Sequence, residues 1–173
     1  MSPSGGKNDK AFASTRRYLG EIIDGSLDYD PQARRWFYKN KRNQKFAIAT
    51  VSEGAKKVAM LERLLANGFL SRGSCIFMDG IESGLHPSAL CEYLDMIDVM
   101  AKEREIQVFM ATHSYFALKK LFLIAMKAQN RVTCISLHKS DAPKVYDLHD
   151  GMPDNSIIDM SIRLHEQELE EML

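Results

Sequence analysis

Ile76-Phe77-Met78-Asp79-Gly80-Ile81-Glu82-Ser83-Gly84-Leu85-His86-Pro87 is the stretch on which the fold prediction depends. A short apolar run ends in an acid, a glycine-containing loop follows, and Pro87 stands where the first turn of a helix is expected. The pattern predicts a buried strand that delivers the Asp79 carboxylate to the edge of a sheet. Mg²⁺ prefers oxygen ligands and keeps much of its water shell, so Asp79 is a candidate to hold a hydrated Mg²⁺ ion.

The composition is that of a single globular domain. The chain has 173 residues, a formal net charge of +0 and 45% hydrophobic residues, which is enough for a sizeable core. Neutral charge argues against a protein that binds nucleic acid or membranes through its overall charge. The sequence has neither an apolar run of membrane-spanning length nor a secretory leader, so a cytoplasmic protein without membrane contact is expected.

The cysteines predict neither a zinc site nor a redox pair. Cys75, Cys91 and Cys134 are widely spaced, and no CxxC pair occurs. Cys75 and Cys134 stand inside apolar runs, where buried, reduced thiols are expected.

Residues 1–10 are polar and rich in Gly and Ser, which predicts a disordered leader or a truncation scar before one domain over residues 11–173. Gly5-Gly6-Lys7-Asn8 resembles the end of a phosphate-binding loop. That loop needs a preceding strand, an earlier glycine and a hydroxyl after the lysine, and this segment has none of these. A flexible leader is the better interpretation.

Residues 27–50 predict extended segments joined by turns, after a helix from Ala11 to about Ile23. The stretch Arg34–Arg42 mixes basic and aromatic residues, which could bind single-stranded nucleic acid by stacking and charge. The alternative is a β-hairpin with aromatics packed on one face and a solvated basic turn. The alternative is favoured because no recognised nucleic-acid-binding pattern surrounds the segment.

Residues 50–57 lead into a helix that Gly68 ends, with Ser52 as its N-cap. A serine hydroxyl and the Gly54 backbone N–H at a helix N-terminus can bind an anion. Taken alone, however, Ser-x-Gly before a helix is usually only a cap.

Strand, helix, strand, helix is the order predicted from Cys75 to about Ala128. The strands are Cys75–Met78 and 106–111, both expected to be buried, and the helices begin at Pro87 and Tyr115. Asp79 and His113 follow the two strands, and the carboxyl ends of parallel strands gather functional groups. Two further strands over 131–148 predict a hairpin, and a helix with an acidic, solvated end closes the chain.

Taken together, these segments resemble the C-terminal half of ABC-type AAA ATPases, the bacterial P-loop proteins of the OLD, RecF and SMC kinds. Val51–Lys57 is similar to the signature motif, and Cys75–Asp79 to the Walker B strand. Ser83–Pro87 is similar to the D-loop, and Gln107–Phe116 to the switch-histidine strand. The resemblance implies an α/β, P-loop NTPase-like fold with a mainly parallel sheet flanked by helices and hairpins near 27–50 and 131–148.

The resemblance also implies a role for each matched residue. Asp79 would hold Mg²⁺ through water, and His113 would contact the γ-phosphate of ATP. Ser52 and Gly54 would bind a nucleotide held by a second subunit, with Ser83 and His86 at that interface. The implied partner is a second copy of the chain or a full-length ATPase subunit.

Two departures from the family pattern bear on activity. The chain as given contains no Walker A motif and no recognisable Q-loop, so ATP affinity is expected to be poor. Gly80 stands at the position of the catalytic Glu and has no group to orient water. Weak or absent hydrolysis is therefore expected, with a non-catalytic interaction module or a nucleic-acid-associated module as alternatives.

Overall fold

The computed structural model describes residues 20–127, 131–138 and 142–172. The chain divides into two compact units, Met1–Ala111 and Thr112–Leu173. The predicted leader and most of the predicted first helix lie outside the described residues, although residues 20–22 are helical.

Over its described residues, the first unit contains a helical segment at residues 20–22, five strands, two longer helices and one 3₁₀ turn. The strands are β1 (Gly25–Asp30), β2 (Arg35–Asn40), β3 (Lys45–Ala47), β4 (Cys75–Asp79) and β5 (Gln107–Ala111). The helices are α1 (Glu53–Ala66) and α2 (Pro87–Arg104), and the 3₁₀ turn is Ile48–Thr50.

Strands β1, β2 and β3 form an antiparallel sheet in that order. The register pairs Tyr29 with Trp36 and Tyr38 with Phe46, so these four aromatic residues share one face. Tyr38 packs against the core, and its hydroxyl donates a hydrogen bond to the carbonyl of Ile23 at 2.5 Å. Asp30 accepts backbone N–H bonds from Gln32 and Ala33, which holds the tight turn between β1 and β2.

Strands β4 and β5 pair in parallel, with Asp79 opposite Ala111. The backbone N–H of Gly80 donates to the Ala111 carbonyl at 3.0 Å, which extends the pairing one residue beyond β4. The helix α2 connects the two strands, as a parallel crossover requires.

The two faces of this parallel pair differ, which corrects the prediction of fully buried strands. Ile76, Met78, Val108 and Met110 pack against the core on one face. On the other face Phe77 is 76% exposed and stacks on Phe109 at 4.8 Å between ring centroids. The sequence run is apolar throughout, so it could not show that only one face is covered. Cys75 lies on the open face and is exposed, contrary to expectation.

The core of the first unit is built mainly from the inner faces of α1 and α2. Its buried side chains include Val58, Leu61, Tyr93, Ile97 and Met100. These positions recur at helical spacing, which is why the sequence pattern located both helices.

The second unit contains α3 (Tyr115–Lys127), a β6–β7 hairpin (Thr133–Ser136 and Lys144–Asp147) and α4 (Ser156–Glu171). Its core is small, with Leu118, Ala125 and Leu148 buried and Val132 and Ile158 packed against them. The helix α4 contributes no buried residue.

Apart from the first helix, most of which lies outside the described residues, the predicted elements are present, and the α/β class is confirmed, as are the two hairpin regions. The sheets are small and mixed: among the described residues, parallel pairing is confined to β4 and β5. The prediction of a mainly parallel sheet is therefore confirmed only as far as the parallel pairing of β4 with β5. None of the helices in the described ranges is long and apolar enough to cross a membrane.

Candidate functional site

The site is built around the N-terminus of α1. Ser52 is the N-cap, as predicted, and its hydroxyl oxygen accepts a hydrogen bond from the backbone N–H of Ala55 at 3.3 Å. Ser52 and Glu53 are exposed, whereas Gly54 is buried. The first turn therefore presents its cap to solvent and its glycine to the interior of the first unit.

The loop after β4 is seated directly on this helix end. A methyl group on Gly54 would lie 2.4 Å from the carbonyl oxygen of Gly84, and one on Gly84 would lie 2.6 Å from the nitrogen of Gly54. Gly84 also has φ of +74°, a conformation that glycine adopts without steric cost. Both glycines are needed for the two backbones to approach this closely.

Lys57 provides a second connection between α1 and the loop. Its ammonium group donates hydrogen bonds to the backbone carbonyls of Gly80 and, at 3.5 Å, Asp79. Lys57 was not singled out from the sequence as a functional residue, although it belongs to the matched signature segment. Its position one turn after the cap was the available signal, since such a side chain can reach an adjacent strand end.

Asp79 ends β4 with an exposed side chain, at the sheet edge where the sequence predicted it. Gly80 follows with φ of +53°. A side chain at position 80 would have room, because its Cβ would meet only the Lys57 ammonium, at 3.9 Å. The left-handed backbone would nevertheless cost about 1–2 kcal/mol for any residue other than glycine.

The remainder of the loop is held by its own backbone. Ser83 N–H donates to the Gly80 carbonyl at 3.0 Å, and Leu85 N–H donates to the Glu82 carbonyl at 3.1 Å. Ile81 is only 1% exposed and anchors the loop. Ser83 and His86 are exposed on its outer side. His86 caps α2, where its Nδ1 lies 3.3 Å from the Ser88 backbone nitrogen.

His113 belongs to the second unit, two residues beyond the end of β5, and is exposed. Nearby, the Thr112 hydroxyl oxygen accepts the Ser114 backbone N–H at 3.1 Å, and the Ser114 hydroxyl oxygen accepts that of Ala117 at 3.4 Å. These bonds hold the residues that lead into the first turn of α3.

Asp79 is not part of a protein-only metal cage. Within the described ranges no cluster of three or more His, Cys, Asp or Glu side chains could hold a metal ion. A single exposed carboxylate does fit a Mg²⁺ ion that keeps most of its waters and takes its other ligands from nucleotide phosphates.

The Arg34–Arg42 segment adopts the arrangement given above as the alternative to nucleic-acid binding. Trp36 and Tyr38 share one face of β2. Tyr38 packs against the core, whereas Trp36 is 38% exposed, with the Arg63 guanidinium of α1 5.2 Å from the centre of its ring. Lys41 and Arg42 are exposed in the following turn. The aromatic residues thus take part in packing, and nucleic-acid binding stays a prediction.

In sum, the structure brings together the cap of α1, the end of β4 and the loop that follows, all within the first unit. A helix N-terminus favours anions, and an exposed carboxylate favours a hydrated cation, so these groups are compatible with a phosphate group and its metal ion.

The family comparison gives the class of the protein. A family model described as "AAA domain, putative AbiEii toxin, Type IV TA system" matches residues 4–119. The match covers more than half of the 173 residues, and the chain therefore belongs to this family. The matched region begins at residue 4, inside the segment 1–10 that was predicted to be a leader. No curated protein matches the chain.

Solved structures with a similar fold are heads of SMC ATPases. One, from work on ATP-driven dimerization and DNA-stimulated activation of SMC ATPases, is 18% identical with a TM-score of 0.52, covering 92% of this chain and 94% of that one. An SMC head bound to the C-terminal winged-helix domain of ScpA is 18% identical with a TM-score of 0.51, covering 79% and 42%.

A third similar structure is an Smc head from Pyrococcus furiosus with an extended coiled coil, bound to the C-terminal domain of ScpA. It is 15% identical with a TM-score of 0.51, covering 90% of this chain and 38% of that one. The chain thus spans less than half of the two ScpA-bound proteins. At these identities the comparison shows a shared fold.

Proposed function

We propose that this chain acts as the C-terminal lobe of an ABC-type ATPase, working with a partner that carries the phosphate-binding loop. In this role it supplies a signature helix, a Walker B aspartate, a D-loop and a switch histidine. Hydrolysis by the chain alone is weak or absent.

The contact between α1 and the loop after β4 is the observation that carries the proposal. Gly54 lies against Gly84, and Lys57 reaches the carbonyls of Asp79 and Gly80. Three segments that resemble separate ATPase motifs therefore form one continuous surface.

Each residue has a distinct task in the proposal. Ser52, exposed at the positive end of α1, binds the γ-phosphate of a nucleotide held by a partner subunit. Gly54 is buried beneath Gly84, so its part is to let the loop approach the helix end, and Ser52 is the group open to a partner's nucleotide. Ser83 and His86 face the partner from the outer side of the loop.

Asp79 and His113 each take the role that their own motif implies. Asp79 would hold a hydrated Mg²⁺ ion, which would neutralise charge on phosphates, and the motif of His113 implies contact with a γ-phosphate. The basis for His113 is its motif and its place after β5.

Gly80 explains why hydrolysis is weak. Phosphoryl transfer to water needs a group that positions the attacking water, and glycine has none. The left-handed backbone at Gly80 also disfavours a glutamate at this position. Replacing one residue therefore does not restore a catalytic glutamate in its productive geometry.

Phosphate release from Mg-ATP tests the inactivity of the chain alone. We expect turnover far below about 1 s⁻¹, the low end for ordinary enzymes, for both the natural chain and Gly80→Glu. Turnover near that value for the natural chain would refute the proposed inactivity. Activity gained by Gly80→Glu alone would show that the phosphate-binding half is dispensable.

A second candidate function is a non-catalytic module that binds a full-length ATPase. The open face of β4 and β5 favours it, because parallel strands are normally covered on both faces and Phe77 and Phe109 are exposed here. An ATPase lobe that covered these rings would gain a favourable free energy of about 25 cal/mol for each Å² of apolar surface that it buried.

Co-elution with a full-length ATPase of the same family, one with an intact phosphate-binding loop, separates the two functions. ATP-dependent binding that Ser52→Ala weakens and Thr50→Ala does not would support the nucleotide role. Thr50 is a matched control, since its exposed hydroxyl lies two residues before the cap and donates to the Ala47 carbonyl. Binding without ATP that Phe77→Ser abolishes would instead support the interaction module.

A further inference from the structure

The helix α4 is anchored only at its start. Asn155 caps it by accepting N–H bonds from Ile157 and Ile158 at 3.0 and 3.1 Å, and Ile158 packs on the small core of the second unit. From Ile162 to Met172 every residue is exposed. A helix segment of this length is marginal in water without packing, which indicates that α4 has a partner.

The exposed part of α4 carries an apolar stripe that is interrupted by His165, whose Nδ1 lies 3.6 Å from the Glu168 carboxylate. Ile158, Ile162, His165, Leu169 and Met172 follow one another at alternating spacings of four and three residues. Such spacing places side chains on one side of a helix, as in a coiled-coil seam. The last four of these residues are called the α4 stripe below.

The charges around the α4 stripe exclude a second α4 as its best partner. Glu166 and Glu168 flank it, Glu170 and Glu171 lie further around the helix, and Arg163 is the only arginine or lysine of the helix. Two such helices packed together would bring like charges into proximity, which costs free energy. The complementary partner is a helix face that carries both apolar and basic side chains.

The helix α3 of the same unit has this composition. Phe116, Leu123 and Met126 are 54%, 45% and 55% exposed, and they form the apolar centre of the α3 face. The helix carries no acidic residue, and three lysines share this side of it: Lys119 and Lys120 between Phe116 and Leu123, and Lys127 after Met126.

The α3 face is not where α4 packs within its own chain. Ile158 contacts the cluster that contains Leu118 and Ala125. Each of these lies two positions, about 200° around the helix, from Phe116 and Leu123 respectively. The anchored start of α4 and the α3 face are therefore on opposite sides of α3.

We propose that two copies of this chain associate by packing the α4 stripe of each copy onto the α3 face of the other. The same pair of contacts then occurs twice about a two-fold axis, so the assembly closes as a dimer. Both surfaces belong to the second unit. The association needs no nucleotide and is separate from the pairing through Ser52 proposed above.

A charge-exchange experiment on the full chain tests this dimer without nucleotide. The first variant carries Lys119→Glu, Lys120→Glu and Lys127→Glu, and the second carries Glu166→Lys, Glu168→Lys and Glu170→Lys. Light scattering after gel filtration should show a dimer for the natural chain and at least tenfold weaker association for each variant. Mixing the two variants should restore a one-to-one dimer, because each α3 face again meets an α4 of opposite charge.

A triple reversal in β2 and its turn is the matched control, with Arg35→Glu, Lys39→Glu and Arg42→Glu. It changes the net charge as much as the α3 variant does and should leave the dimer intact. A monomeric natural chain, a variant that still dimerises, or a mixture that stays monomeric would each overturn the proposal.

Salt provides a measurement that does not depend on the folding of any variant. Raising the salt from about 0.05 M to about 0.5 M shortens the screening length and should weaken the natural dimer severalfold. Dimerization that salt leaves unchanged or strengthens would contradict a contact guided by charge. Ser52→Ala should have no effect here, so failure of the nucleotide proposal would remain distinguishable.

Discussion

The helices α1 and α4 begin alike and have opposite surroundings. They have 14 and 16 residues, each is amphipathic, and each has a side-chain N-cap, Ser52 or Asn155. Yet α1 buries Val58, Leu61 and other residues in its own unit, whereas α4 buries none. An amphipathic sequence thus predicts that a helix has a partner. It does not predict that the partner belongs to the same chain.

Leucine truncation should give the largest difference between the two helices. Leu61 in α1 is 2% exposed, so Leu61→Ala should lower the free energy of unfolding by about 2–5 kcal/mol. Leu164 in α4 is 58% exposed and lies outside the α4 stripe, so Leu164→Ala should change it by no more than about 0.5 kcal/mol. Urea unfolding measures both. Equal losses would mean that α4 is packed after all.

A glycine comparison tests how tightly α1 is seated on its loop. Gly84→Ala and Gly68→Ala both place a side chain at positive φ, +74° and +71°. Only position 84 also meets an obstacle, the Gly54 nitrogen at 2.6 Å, while position 68 has nothing within 4 Å. The strain of an alanine at positive φ is common to both variants. The free energy of unfolding should therefore be lower for Gly84→Ala than for Gly68→Ala by about 1–3 kcal/mol, measured by thermal or urea unfolding. Similar stabilities would refute the close contact.

Removing each N-cap compares the starts of the two helices. Asn155→Ala should lower the free energy of unfolding by about 1–2 kcal/mol, because it leaves two backbone N–H groups unpaired at a buried site. Ser52 makes one longer bond at an exposed site, so Ser52→Ala should cost about 0.5–1 kcal/mol. Hydrogen exchange at Ile157 and Ala55 would locate each loss. The reverse order would show that α4 is not anchored by its cap.

The smallest effect concerns the first turn of α1. The hydrogen bond from Lys56, and then its charge, lowers the pKa of Glu53 below the ordinary value of 4.5. The stabilisation is therefore complete above pH 4.5 and is lost as the pH falls through the lowered pKa. An NMR titration should show a higher pKa for Glu53 in Lys56→Met. Identical values in the two proteins would show that the ion pair does not persist in solution.

Most secondary structure could be predicted from local pattern. The spacing of apolar residues located α1 and α2, and Gly68 and Pro87 marked helix ends, because these signals act within a few residues of the chain. The loop Gly80–His86 was also evident, since its glycines and proline have local conformational meaning.

Long-range packing set the limits of prediction. The sequence could not show that β4 and β5 are covered on one face only, because an apolar run looks the same in a half-covered strand. The position of Lys57 on the Asp79 and Gly80 carbonyls depends on how α1 is placed against β4. Residue types and order suggested Asp79 and Ser52, whereas the contact between Gly54 and Gly84 requires three-dimensional coordinates.

The single tryptophan offers a practical use of this architecture. Trp36 lies in β2 beside Tyr29, under the guanidinium of Arg63 from α1, so its environment depends on two elements of the first unit. Its fluorescence therefore reports the unfolding of that unit, whereas far-ultraviolet circular dichroism reports helices in both. Superimposable transitions by the two probes would mean that the units unfold as one cooperative system, and separate transitions would give each unit its own stability.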